Sequence, residues 1–353
     1  MADYKFVAAE GNTLLGELQA LNKTVQLRLD GFSQAEFIIN GEHPTAELVE
    51  PFDRDVVVYR NNEPIMRGTI GALSHTLDGT SHYLNVSILD YRARLNRRLL
   101  TADQSFTGLR DDEVAVALLS AVQSESSLGI TVGTVEPGPV VDFDVDAGVP
   151  VNSAIDLLAA RSGGFDWHVT PGRQFDLRRS RGFDRGRILD YGGAVSQLSL
   201  RVNPAVYGNA VFATGGRSTT PELRVDVDPG TQRFDLQVSN LNIVDQPVLA
   251  AVADQSLVEA KSQFRSFTLG IRQSDAVQAW GGLQDVDVGD TVTVYARSGG
   301  LLINEQQRVR EIQIQITDDG AERVVMQTDG EAGRFDERLR LIEARLNSVE
   351  RTA

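Results

Sequence analysis

Apolar and polar residues alternate over short stretches in the first 100 residues, which is the period expected of half-buried strands. Residues 24–41 alternate and break at Gly31, which predicts two strands. Residues 55–71 (DVVVYRNNEPIMRGTIG) read as strand, polar turn and strand, and residues 74–89 read as a second hairpin. We expect the first hairpin to turn near Asn61-Asn62 and the second at Asp78-Gly79, because these residues favour tight hairpin turns.

Helical patterns follow this strand-rich start. DYRARLNRRLL (90–100) predicts a short helix with an arginine-rich face. Residues 111–126 begin with three acids and continue with good helix formers, as at the positive end of a helix dipole. A further helix is predicted over 151–164, followed by a hairpin of FDWHV and RQFDLRRS across Pro171-Gly172. This segment reads as a small α+β unit inserted after an all-β start.

Short strands return after residue 190. Gly-rich turns separate them, which favours a barrel or a sandwich. The predicted strands are SQLSLRV, VYGNAVFAT, ELRVDVD, RFDLQVS, SFTLGIR, DTVTVYA, QRVREIQIQIT and ERVVMQT, with one helix over 248–264.

The two strand-rich regions share a faint echo. VVVYR (56–60) resembles VTVYA (292–296), and TLDGTSHYL (76–84) resembles TDDGAERVV (317–325). Because any two hairpins share turn residues, the echo fits a duplication and a coincidence equally well.

The last stretch, 331–353, has a heptad-like helical pattern. Leu339 and Leu346 occupy a positions, which with Ile342 at d favours trimers or tetramers over dimers. The d positions hold Phe335, Ile342 and Val349, the g positions Arg338 and Arg345, and the e positions Glu343 and Glu350. Arg at g can meet Glu at e of a neighbouring chain in a parallel coil. The alternative is an amphipathic helix on its own barrel, and so short a coil needs larger contacts beside it.

Composition excludes several classes of function. The 353 residues contain no cysteine, which removes disulfides, thiolate zinc sites and cysteine nucleophiles. The formal net charge of −15 argues against a protein that grips nucleic acid or anionic lipid. No apolar run reaches the roughly 18 residues of a membrane span. The N-terminus lacks the pattern of a signal peptide, so we expect folding in a cytoplasm.

Motifs for catalysis are absent from the sequence, and the acidic stretches have simple readings. Asp142, Asp144 and Asp146 mimic the start of a calcium loop, but Ala147 stands where the loop needs glycine. We expect these acids on the solvent face of a strand. DVDVGD (285–290) reads as a β-turn rather than a cation site. Trp167 reads as core, while Trp280 stays open as a sugar platform. We therefore predict no catalytic, cofactor or metal site.

The hairpin at 55–71 is more informative when it is read together with the segments that follow it. Its segment Arg60-Asn61-Asn62-Glu63-Pro64-Ile65 continues to Gly68 and Ile70, and Asp90-Tyr91 follows with Leu95 and Arg98. In this order the residues resemble the N-terminal part of phage tail hub proteins, with Asn62 where the family has a turn glycine. Residues 151–179 resemble the family's helix and Trp-bearing hairpin, and 285–327 resemble its second barrel. The resemblance covers roughly residues 20–328.

The resemblance implies a mainly β (α+β) fold with two tail-tube-like β-barrels. We expect domains at 1–103 (first barrel), 104–190 (inserted α+β domain) and 191–330 (second barrel with one helix), then the helix 331–353. It also implies a homotrimeric hub at the virion tail tip that takes part in genome ejection. Its partners would be the distal tail protein, the tape measure protein and tip or fibre proteins, without tight nucleic-acid binding or a membrane anchor.

Two alternatives stay open. One is a tail-associated enzyme that cleaves cell walls with paired carboxylates. The chain stops after one short helix, so on-chain hydrolysis is not expected. The other is a monomeric β-rich glycan-binding module.

Overall fold

A computed structural model of the chain describes residues 2–49, 54–161, 164–202, 207–216, 219–227, 232–239, 265–272, 286–317 and 321–329, with 246, 249–250, 252–254 and 256–257. Two compact units are present. Unit 1 comprises 1–183, 270–289 and 311–326, and unit 2 comprises 184–269, 290–310 and 327–353. Each unit is therefore assembled from segments that are far apart in sequence.

An antiparallel sheet dominates the start of unit 1. Its strands are β1 (Tyr4–Glu10), β2 (Thr13–Glu17), β3 (Ala20–Arg28), β4 (Gln34–Asn40), β5 (Asp55–Arg60), β6 (Glu63–Asp78) and β7 (Ser81–Asp90). They lie in the order β3-β4-β7-β6-β5-β1-β2. Alternate residues such as Phe6, Phe37 and Val58 are buried, so the predicted period-2 pattern is confirmed. A short 3-10 helix, Pro44–Leu48, connects β4 towards β5.

The first hairpin turn lies where the sequence predicts it, and the second lies one residue later than predicted, at Gly79-Thr80. Asn61 and Asn62 join β5 to β6 with φ values of 51° and 65°, the left-handed region that asparagine tolerates better than most residues. Gly79, with φ 59°, lies in the turn from β6 to β7. One feature differs from expectation, because the two hairpins share β6 as a single strand. A bulge between Ile70 and Ala72 interrupts its register against β7.

The helices and short strands of residues 91–178, within unit 1, share a buried cluster. These elements are α1 (Tyr91–Asn96), β8 (Gln104–Arg110), α2 (Asp111–Glu125), β9 (Thr131–Val135), β10 (Val140–Val145), α3 (Val151–Arg161), β11 (Asp166–Val169) and β12 (Gln174–Arg178). Residues of α1, α2 and α3 pack with Trp167 and Phe175 in one buried cluster. The predicted helices and the Trp-bearing hairpin are confirmed.

Strands also dominate the chain after residue 183. They are β13 (Asp184–Asp190), β14 (Val195–Val202), β15 (Ala210–Thr214), β16 (Glu222–Val225), β17 (Asp235–Ser239), β18 (Arg265–Arg272), β19 (Thr291–Ser298), β20 (Leu301–Ile316) and β21 (Glu322–Asp329). In unit 2, β19 pairs in parallel with β13 and antiparallel with the first part of β20. In unit 1, residues 311–316 of β20 pair with β3. The mainly β fold is confirmed.

The helix predicted over 248–264 is described in part. Residues 249–250, 252–254 and 256–257 are helical. Leu249, Ala253 and Leu257 are buried at four-residue spacing, which places them on one face of a helix.

The echo between the two strand-rich regions extends into the structure. β5, a two-residue turn, the 16-residue strand β6 and then β7 form one meander. β19, a two-residue turn, the 16-residue strand β20 and then β21 likewise place a long strand between two shorter ones. The matched letters at Val56 and Val292 therefore stand at corresponding places, near the start of each meander.

Candidate functional site

The hairpin and the Asp-Tyr helix meet in a buried polar cluster. The carboxylate oxygen Oδ2 of Asp55 accepts hydrogen bonds from Arg67 Nε at 3.0 Å, Arg67 Nη2 at 2.8 Å and the Tyr91 hydroxyl at 2.6 Å. Arg67 also donates to the Gly11 carbonyl. Burial, and then the charge of Asp55, raises the pKa of Tyr91 to about 12. The Tyr91 hydroxyl therefore stays protonated as a donor, and the cluster ties β5, β6 and α1 together.

Two further residues of the quoted motifs, Asp90 and Gly68, hold backbone segments in position. Asp90 caps α1, because its Oδ1 accepts from Arg92 N at 3.1 Å and Ala93 N at 3.4 Å. A Cβ atom added to Gly68 would lie 2.1 Å from the Leu89 carbonyl oxygen, so only glycine allows β6 to approach β7 this closely. The residues that carry the resemblance are thus placed to hold strands and a helix in position.

A second buried ion pair joins residues that are far apart in the sequence. Arg60 donates from Nε to Glu322 Oε1 at 3.1 Å and from Nη2 to Oε2 at 3.3 Å, and also to the Tyr4 hydroxyl at 2.8 Å. The side chains of Arg60 and Glu322 are only 6% and 1% exposed. Burial, followed by the neighbouring Glu322, raises the pKa of Tyr4. This pair fixes the first hairpin against β21 within unit 1.

Trp167 lies in the core, as predicted, at 3% exposure. Its indole Nε1 donates to Asp156 Oδ1 at 2.7 Å, and the Arg92 guanidinium lies 4.2 Å from its ring centre. Arg92 Nη2 also pairs with Asp156 at 2.8 Å. The tryptophan is therefore a structural link between α1, α3 and β11, since its ring contacts Arg92 and its N–H group is bonded to Asp156 inside unit 1.

His168 follows this tryptophan in a positively charged setting. Burial, with the charges of Arg181, Arg92 and Arg178, lowers its pKa to about 3. The ring is therefore neutral in the folded protein over the range in which histidine ordinarily titrates.

Replacing His168 with glutamine should reduce the loss of stability in acid. Between pH 6.5 and 3 the unfolded chain binds a proton that the folded chain does not. Stability therefore decreases as the pH is lowered through this window, by up to about 1.4 kcal/mol per pH unit. From pH 7 to 4.5, we expect wild type to lose about 2 kcal/mol more than His168→Gln in urea unfolding. Parallel pH curves for the two proteins would contradict this.

The three acids Asp142, Asp144 and Asp146 are exposed, while Phe143 and Val145 of the same strand are buried. This confirms the expected strand face for Asp142 and Asp144, whereas Asp146 follows the end of β10. Asp142 Oδ1 accepts from Gly108 N at 2.8 Å, and Asp144 Oδ1 accepts from Ser105 Oγ at 2.5 Å. These two acids therefore fasten β10 to β8.

Asp287 and Asp290 border a turn at Val288-Gly289, where Gly289 has φ 96°, while residue 285 lies outside the described residues. In unit 1, Asp287 pairs with Arg181 at 3.0 Å, and in unit 2 Asp290 pairs with Arg185 at 3.2 Å. The predicted turn is confirmed. Among the residues that the structure describes, no group of three His, Asp or Glu side chains could hold a metal ion. Trp280 lies outside the described residues.

Sequence reasoning missed a pocket and an arm on β6. The pocket, of about 110 Å³, lies at the bulge and is lined by Thr69, Ile70, Gly71, Leu89, Ala93, Arg94 and Arg97. The arm begins where β5 ends, because β5 pairs with β6 only as far as Thr69. Beyond that point nearly every residue of β6 is exposed, including Leu77 at 78%. The available signal in the sequence was the predicted hairpin at 74–89, which extends β6 well beyond the residues that pair with β5.

The helix proposed for oligomerisation lies outside the described residues. Its positions Phe335, Arg338, Leu339, Ile342, Glu343, Arg345, Leu346, Val349 and Glu350 therefore stay a prediction. Within the described part of the chain, no helix is long and apolar enough to cross a membrane.

No protein-family model and no curated protein matches this sequence. Solved structures do match it. A tail protein from Neisseria meningitidis has a TM-score of 0.71 at 13% identity, over 92% of this chain and 96% of that one. The 43 kDa tail protein of prophage MuSo2 from Shewanella oneidensis has 0.70 at 14%, over 92% and 98%. A type VI secretion component of E. coli, described as similar to the T4 tail proteins gp27 and gp5, has 0.54 at 10%, over 94% and 78%. The chain therefore has the fold of phage and prophage tail proteins.

Proposed function

We propose that this protein is a structural component of a phage-type tail, a homotrimeric hub at the distal end of the tail tube. The observation that carries the proposal is the likeness to tail proteins over more than nine-tenths of both chains. Since a fold alone does not fix function, the proposal also needs support from the molecule's own features.

The repeated meander supports a hub built from two tube-like halves. β5–β7 and β19–β21 each place a 16-residue strand between two shorter strands. Three chains with two such halves each would present six similar walls. Such a ring matches a tube of six-fold symmetry, which a single-barrel trimer would not.

A structural rather than catalytic role is supported by what the candidate acids do. Asp142 and Asp144 join neighbouring strands, and Asp287 and Asp290 pair with arginines. A cell-wall hydrolase would instead need two convergent carboxyl groups in a cleft. We propose that the protein has no enzymatic activity, and a zymogram on host cell walls tests this.

The proposed partners follow from the position at the tail tip. The ring would bind the distal tail protein on one side and tip or fibre proteins on the other, with the tape measure protein and then DNA passing through it. The net charge of −15 suits such a passage, because an acidic wall does not hold phosphates. We also propose that the helix 331–353 adds a short coil to the trimer.

The mass in solution tests the trimer. Light scattering should give about three times 38.5 kDa, either for the protein alone or after the distal tail protein is added. A chain truncated after residue 334 should need a higher concentration to assemble, because the coil is lost. A monomer found inside an assembled tail would overturn the hub proposal, whereas a normal trimer of the truncated chain would overturn only the coil.

A further inference from the structure

The pocket on β6 is open because of how the strand is built. The bulge places Gly71 opposite the gap between Ile88 and Ser87, and a bulged strand is bent locally. A Cβ atom on Gly71 would lie 2.9 Å from Leu89 Cδ1. Glycine therefore keeps the floor of the pocket free at a point where any side chain would crowd it.

Two arginines give the pocket a positive rim. Arg94 and Arg97 stand three residues apart at the end of α1, which places them on one face. Arg94 lies 5.8 Å from the Tyr91 ring centre, and among the described residues it forms no ion pair. An apolar slot of about 110 Å³ beside a guanidinium group fits an aliphatic side chain that is followed by a carboxylate.

The chain itself carries such a pair of residues. Leu77 is 78% exposed, more than any other large hydrophobic side chain in the described part of the chain. Asp78 follows it directly, is exposed, and forms no ion pair with a described residue. Both stand at the end of β6, beside the turn at Gly79.

Leu77 cannot reach the pocket of its own chain. It lies seven positions beyond Ile70 on the same strand, which is about 23 Å at roughly 3.3 Å per residue. The contact must therefore be made between two molecules. Each copy offers one knob and one pocket at separate places along β6, and a head-to-tail contact of this kind closes into a ring when the rotation allows.

We propose that Leu77-Asp78 of one copy docks into the pocket of the next copy, with Leu77 on the floor at Gly71 and Asp78 paired with Arg94. The proposal rests on the proposed function, because it names the contact that closes the ring. The exposed arm of β6 therefore contacts the neighbouring copy within the ring.

Charge reversal tests the pairing. In sedimentation experiments, Asp78→Arg and Arg94→Glu should each raise the concentration at which half the chains are assembled by at least tenfold. The double variant should return to within about threefold of wild type, because the pair is restored with its signs exchanged. Arg297→Glu, an exposed charge on β19, is the control and should assemble as wild type does.

Disulfide trapping tests the position without relying on charge. Because the chain has no cysteine, Thr69→Cys combined with Leu77→Cys should cross-link only between copies, giving trimers on a non-reducing gel. Thr69→Cys with Leu302→Cys, another exposed leucine, is the control and should not cross-link. Circular dichroism checks that each variant is folded.

The outcomes separate this contact from the hub proposal. A wild-type chain that never assembles, even with the distal tail protein, overturns the ring and this contact with it. Single charge variants that assemble normally, or a double variant no better than either, overturn the contact while the hub stands. Variants that trimerise but lose a neighbouring tail protein assign the pocket to that partner and overturn the proposal.

Discussion

Replacing Glu322 with alanine should lower the free energy of unfolding by about 3–5 kcal/mol. The change leaves the Arg60 guanidinium buried without its carboxylate, since the arginine side chain is only 6% exposed. It also removes two hydrogen bonds, of 3.1 and 3.3 Å. Removing one partner of a buried pair costs far more than the pair itself contributes, because the remaining charge keeps its desolvation penalty. Urea unfolding at pH 7 measures the effect.

A matched exposed pair shows that burial is the cause. Asp3 pairs with Lys5 at 3.3 Å, but the two side chains are 61% and 36% exposed. Asp3→Ala should therefore change stability by less than about 1 kcal/mol. The double variant Arg60→Met with Glu322→Leu should recover much of the loss, because no unpaired charge remains. Equal losses for Glu322→Ala and Asp3→Ala would refute the argument.

The strands and turns were predictable because their signals are local. Alternation in β4 and β10 places Phe37 and Phe143 inside with no knowledge of the partners. Asn61 and Asn62 set a tight turn through their own backbone preferences. The helix α2 begins at Asp111, where three acids suit its dipole. Each of these features depends on residues within one turn or one strand.

Pairings over long distances were not predictable. Residues 311–316 of β20 pair with β3, and β13 pairs in parallel with β19. A period of two says which face of a strand is buried, but not which strand lies beside it. The strands β8 and β13 were missed altogether. Most of their residues are exposed, so they lack the alternation that marks a half-buried strand.

In the candidate site, too, features with local signals were predictable and contacts between distant elements were not. The sequence placed Trp167 in the core and Asp142 on a strand surface, because both follow from alternation. It did not reveal that Trp167 bridges Asp156 and Arg92, since this contact joins three elements. The buried cluster of Asp55, Arg67 and Tyr91 was also invisible. In the sequence these three residues belong only to stretches that resemble tail hub proteins, and no local pattern gives a physical reason for their occurring together.

Replacing Asp55 with alanine should cause the second large loss of stability. It tests whether these three residues occur together because they stabilise the fold. The change removes the carboxylate that neutralises Arg67 and accepts from Tyr91, and all three side chains are buried. We expect a loss of about 3–5 kcal/mol in urea unfolding, again because a charge stays buried without its partner. Tyr91→Phe removes one hydrogen bond to a charged group and should cost about 1.5–3 kcal/mol.

The double variant shows whether the three residues act as one unit. If they do, Asp55→Ala with Tyr91→Phe should cost less than the sum of the single changes, by more than about 0.5 kcal/mol. Additive losses would mean that the Tyr91 hydroxyl contributes independently of Asp55. Coupling would explain why the hairpin and the Asp-Tyr helix belong together in the sequence: their polar residues hold α1 on β6, beside the bulge, where the pocket for a neighbouring copy is formed. Loss of the cluster should then weaken assembly as well as stability.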